Sequence, residues 1–185
     1  MEVGTMQEVG LFVTLAEIAG VFVGFGALIA VRSGGASDAK EVSYIRWVLS
    51  IGVWVVVVAL APVTLGAYDI GERDVWFVCS LVALAGAVGV WLGNYWTPEW
   101  QREVSAVSRA EVVRGTAING LLVVPMMAAL VIVVLGVFSD QDAALYLTAV
   151  VLGLFLAALT LLWLVFEHRS PTTQATSEEV ESPAE

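Results

Sequence analysis

Charge is what this chain has least of. Charged residues make up 14% of its 185 residues and hydrophobic ones 59%, where a soluble globular domain carries about a quarter charged. A water-soluble core with a solvated surface is therefore excluded. Cysteine is almost absent: Cys79 stands alone, which rules out intramolecular disulfides, C-x-x-C redox pairs and cysteine-rich metal sites. The one histidine, His168, cannot form a metal centre by itself, and no metal or other cofactor is expected. Lys and Arg total eight and are scattered, too few to neutralise phosphates, so nucleic acid is not an expected partner. No HExxH, GxSxG or Walker-type glycine loop occurs, and no carboxylate pair suits acid/base work, so no enzyme activity is expected. An internal repeat is also lacking.

What the chain does contain is apolar runs. Residues 9–31, 45–67, 75–95, 115–138 and 143–166 are each about 20 residues or longer. At ~1.5 Å per helical residue each reaches across a hydrocarbon core of about 30 Å. The expected fold is all-α, a polytopic bundle of five transmembrane helices whose first partner is the lipid bilayer itself. Three of the four connections are short, which makes neighbours in sequence antiparallel neighbours in space. Residues 1–169 form this membrane domain.

The basic residues orient the bundle. Arg32, Lys40 and Arg46, then Arg102, Arg109 and Arg114, then Arg169 fall on one side of a five-pass chain, which the positive-inside rule makes cytoplasmic. Arg73 alone falls on the other side, among Asp69, Glu72 and Asp74. The expectation is N-outside, C-inside. Size and loop economy suggest the inner (plasma) membrane. No basic residue precedes the first run, so residues 9–31 are read as a retained anchor and not a cleaved signal. Tyr44, Trp47, Trp91, Tyr95, Trp96 and Trp163 lie at proposed inner boundaries, and Tyr68, Trp76 and Tyr146 at outer ones, as interfacial aromatics should. Trp54, deep in its run, is a packing or lipid-facing residue.

Two segments fall outside the spans. Thr97, Pro98 and Glu99 supply an N-cap, a first-turn proline and an acid suited to the helix dipole, predicting a cytoplasmic helix over about 98–113. Residues 170–185 turn to Ser, Thr, Pro and Glu without an aromatic and are expected to be disordered. That acidic tail contributes to the net charge of -10 and serves as a solvating segment or as a docking surface for a cytoplasmic protein.

Glu17 is the most informative side chain, because an ionised carboxylate inside a span costs a few kcal/mol. Helical spacing puts it on one face with Gly20, Gly24 and Ala27, and Gly20 with Gly24 makes the GxxxG spacing that admits a second helix backbone. The expectation is that Glu17 faces protein, with Ser80 and Thr148 as polar groups near its depth. It is then an ion or proton site, or a neutral acid serving as interhelical glue. Gly89 and Gly93 repeat the four-residue spacing in the third run, for packing within one protomer or between copies. Pro62 and Pro125 each remove an amide donor inside a run and free a carbonyl one turn earlier. Asn119 with Pro125 marks a polar, kink-prone patch on the fourth helix.

Two functions follow. The first is an oligomeric ion or proton channel, or an ion-coupled carrier, working through Glu17. The alternative is a non-catalytic membrane subunit or scaffold that docks a partner through its cytoplasmic helix and tail.

Overall fold

Inside hydrocarbon every peptide group must find its hydrogen bond within the chain, and a continuous helix does this segment by segment. The computed structural model describes residues 3–32, 39–68, 70–96 and 109–167, and there the chain is helical throughout apart from turns. In chain order the helices are α1 (Val3–Arg32), α2 (Ala39–Leu65), α3 (Glu72–Tyr95), α4 (Arg109–Leu135) and α5 (Asp142–Glu167), with a single 3-10 turn at Ser139–Gln141 before α5. The expected cytoplasmic helix lies mostly, and the acidic tail wholly, outside the described residues.

The architecture is a helical membrane bundle. Gly10–Val31, Ile45–Leu65, Glu72–Asn94 and Ser139–Trp163 are each long and apolar enough to cross a bilayer. The described apolar part of α4 is shorter, Asn119–Leu135, which reaches about 25 Å at 1.5 Å per residue. Neither Pro62 nor Pro125 breaks its helix.

The ends of the elements have local causes. α2 stops at Leu65, two residues before the end of its apolar run, where the Gly66 N–H bonds the Pro62 carbonyl at 2.9 Å and Tyr68 bonds Leu65 at 3.0 Å. Glu72 and Asp74 occupy the first turn of α3, where negative charge meets the positive end of the helix dipole. α4 ends in a Schellman motif: Gly136 takes φ 64°, its N–H bonds Val133 at 3.0 Å, and the Val137 N–H bonds Ile132 at 3.4 Å. A Cβ on Gly136 would collide with the Arg73 guanidinium. The one base among the acids of that loop thus lies against the carbonyl end of α4, where a cation is favoured.

Helices α2 and α5 organise the core, since α2 packs against α1, α3 and α5, and α5 packs against α4, α1 and α3 as well. Trp54 of α2 is the pivot. It is buried, its indole N–H donates to the Ala83 carbonyl of α3 at 3.0 Å, and its ring rests on two glycines. A Cβ at Gly86 of α3 would lie 2.8 Å from Trp54 Cδ1, and one at Gly153 of α5 would lie 2.6 Å from Cζ3. The bulk of one ring is matched by the absence of a side chain on each neighbour. Helix α1 meets α2 in the same way: a Cβ on Gly52 would lie 2.6 Å from Val23 Cγ2, and one on Gly26 3.2 Å from Val48 Cγ1.

Toward the N-terminal end of α1 the core is aromatic. Phe12, Trp76 and Tyr146 are all buried, with ring centroids 6.0 Å apart for Phe12 to each of the others and 5.6 Å for Trp76 to Tyr146, all tilted. Trp76 and Tyr146, expected at the outer boundary, thus turn their rings into the bundle against Phe12 and not toward lipid. Tyr68 alone of that trio is exposed.

Candidate functional site

The rotation of α1 decides where Glu17 points. Phe12, Ala16 and Ala19 are buried, and together with Val23 and Gly26 they form the face that meets α2 and the aromatic cluster. A helix turns 100° per residue, so the residues roughly opposite that face stand outward. Gly10, Glu17, Gly20, Gly24 and Ala27 are all exposed. The shared face expected of Glu17, Gly20, Gly24 and Ala27 is present, but it points away from the bundle. Within the protomer, Glu17 therefore does not face protein. The physical reason is packing: the Phe12 ring and the small Ala16 and Ala19 bring α1 against its neighbours, and that contact fixes the rotation whatever it exposes on the far side.

The proposed companions do not join Glu17. Ser80 is wholly buried and its hydroxyl oxygen has no hydrogen-bond partner among the described residues, so Glu17 does not bond to it. Thr148 is exposed and donates its hydroxyl to Ala144 of its own helix at 2.8 Å. Thr14, one turn before Glu17, donates to Gly10 at 3.0 Å in the same manner. These threonines satisfy themselves locally, as hydroxyls on helices commonly do. Among the described residues no group of three or more His, Cys, Asp or Glu is placed to hold a metal ion.

The expected packing glycines do not serve within the protomer. Among the described residues a Cβ at Gly20, Gly24, Gly89 or Gly93 would meet nothing within 4 Å, so none of the four makes a close approach to them. Gly26, Gly52, Gly86 and Gly153 do that instead. In α3 the inward small residues are Ala83 and Ala87, with Gly86 against Trp54, while Ala85, Gly89 and Gly93 stand on the outer side. On α4, Asn119 and Pro125 are both exposed, so that patch is also on the lateral surface.

Three features were missed in the sequence. Tyr146 donates its phenol O–H to the Val58 carbonyl at 2.7 Å, fully buried. Val58 is four residues before Pro62, whose missing N–H leaves that carbonyl without its helical donor. The proline position was a usable signal, but nothing in the linear chain indicated which side chain would answer it. Asp142 in the first turn of α5 is buried, with one carboxylate oxygen unpartnered. Asn94 is buried near the end of α3 and donates to Val90 at 2.8 Å.

The site that emerges is a lateral one. It is the outward strip of α1, with a carboxyl group about 10 Å from the N-terminal end of the Gly10–Val31 span and bare backbone on both sides of it. Comparison with protein-family models, with curated proteins and with solved structures found no match.

Proposed function

We propose that this chain is a protomer of a membrane assembly that moves protons or cations past Glu17, with the path formed at the surface that α1 presents to its neighbours. The observation that carries this reading is the outward placement of Glu17. A carboxyl group facing lipid is costly by a few kcal/mol, and an intramembrane acid on a water-lined or protein-lined contact is not. The middle of the protomer supports a path between protomers and not through one, because it is filled by Tyr146, Leu130, Val48, Val55, Val58 and Val150, all fully buried. In this reading α4 makes the fifth crossing, the amino terminus is outside, and the membrane is the inner (plasma) membrane.

Purified protein reconstituted in liposomes should show a proton or monovalent-cation flux above empty vesicles. Glu17→Gln should lower that flux at least tenfold while the protein still inserts and folds. Equal flux in the variant would remove Glu17 from the path.

A second reading is favoured by the same exposed strip. α1 has the smallest buried share of the four long spans, 22% against 44% for α2, which also suits a non-catalytic subunit that seats a partner's helix there. That reading predicts no flux from the purified chain and co-purification of a partner from native membranes.

A further inference from the structure

We propose that the outward face of α1 binds the same face of a second copy of this chain, as a symmetric helix pair in which the two Glu17 carboxyls bond each other. This rests on the assembly reading above and names the partner.

The first argument is shape. Gly10, Glu17, Gly24 and Val31 recur every seven residues and all are exposed. A seven-residue repeat keeps one line of a helix facing a supercoiled neighbour, and from Gly10 to Gly24 that line runs about 21 Å. Gly20 and Ala27 flank it. Among the described residues a Cβ at Gly10, Gly20 or Gly24 meets nothing within 4 Å, so a second backbone can close on this strip without disturbing them. The glycine that α1 uses inside the protomer, Gly26, is on its other side and already faces Val48 and Leu49.

The second argument is chemical complementarity. Thr14 spends its hydroxyl on Gly10, which leaves Glu17 to make the polar contact of the strip. A neutral carboxylic acid carries one donor and one acceptor and is complementary to itself. A two-fold axis through the strip sets each Glu17 opposite its twin and satisfies both, as isologous interfaces do. The chain's cations lie elsewhere. Its bases are Arg32, Lys40, Arg46, Arg73, Arg102, Arg109, Arg114, His168 and Arg169, at or beyond the ends of the apolar runs and never in their middle. A head-to-tail packing of copies therefore gives Glu17 no cation.

The experiment uses the full chain, purified and reconstituted in bilayers, with Cys79→Ser removing the native thiol. Val21→Cys, exposed beside the strip, should form a disulfide-linked dimer on oxidation, and Val82→Cys, equally exposed on α3, should not. Gly24→Leu should weaken association at least tenfold. Glu17→Leu should weaken it about 3- to 30-fold, the equivalent of about 0.6–2 kcal/mol for an interhelical hydrogen bond. Glu17→Gln should retain most of it, since a carboxamide also pairs with itself. Thermal unfolding under dissociating conditions should be unchanged in Gly24→Leu, which separates lost docking from lost folding. Crosslinking at position 82 in place of 21, or crosslinking at 21 that ignores both Gly24→Leu and Glu17→Leu, would overturn the proposal. So would a protein that stays monomeric at every lipid ratio, which assigns the strip to a different protein. A dimer without flux keeps this inference and sinks the transport reading, and flux without an α1 dimer does the reverse.

Discussion

A proline in the middle of a membrane helix creates a debt that some donor must settle, and at Val58 the donor is Tyr146. The hydroxyl reaches across from α5 to the carbonyl that Pro62 leaves open, at 2.7 Å in a fully buried setting. Removing it strands an acceptor where water cannot reach, which costs about 1–3 kcal/mol. Tyr146→Phe is expected to destabilise the protein by about 1–2 kcal/mol, at the lower end because membrane helices find alternative partners. Pro62→Ala restores the helical N–H, so Tyr146→Phe placed on that background should cost less than half as much. A double-mutant cycle in reversible unfolding from mixed micelles reads the coupling directly. Additive costs would mean that the phenol serves Val58 for some reason unconnected with the proline.

The helices pack through glycines, and what matters for each is whether a large side chain already occupies its missing Cβ. Gly153 and Gly86 sit against the rigid ring of Trp54, at 2.6 and 2.8 Å for a built Cβ. Neither ring nor backbone can give that much cheaply. Gly153→Ala and Gly86→Ala should each destabilise by about 1–3 kcal/mol through overpacking. Gly20→Ala and Gly89→Ala meet open space among the described residues and should leave the protomer unchanged or slightly more stable, by up to about 1 kcal/mol from helix propensity. Thermal shift in detergent should sort the four variants into these two groups. At this scale the sequence was clear about helices and ambiguous about their faces. Hydropathy located the four long spans within a few residues because bilayer thickness constrains length, while the described apolar part of α4 is shorter than its run, Asn119–Leu135. Spacing located the GxxxG pairs but carried no information on which side of α1 or α3 the protomer's own core would lie. Phe12 settles that for α1, and Phe12 is recognisable as an anchor only once Trp76 and Tyr146 are seen beside it. Asp142 and Asn94 were illegible for the same reason, since near a helix end a polar residue is ordinarily solvated.

For the whole molecule, the position of Glu17 orders everything else. Elementary cost arguments put an intramembrane acid inside a protein, and they still hold once the protein is taken to be more than one chain. The bundle fills its own centre with Trp54, Tyr146 and aliphatic side chains, and leaves its one acid inside the α1 span on the flank. The most direct test is a nitroxide scan of α1 from residue 11 to residue 27, with one copy per lipid nanodisc and molecular oxygen as the lipid-phase collision probe. Labels at 17, 20 and 24 should show collision maxima and labels at 12, 16 and 19 minima, with the period of a helix. Maxima at 12, 16 and 19 with a minimum at 17 would place Glu17 inside the protomer and contradict the account.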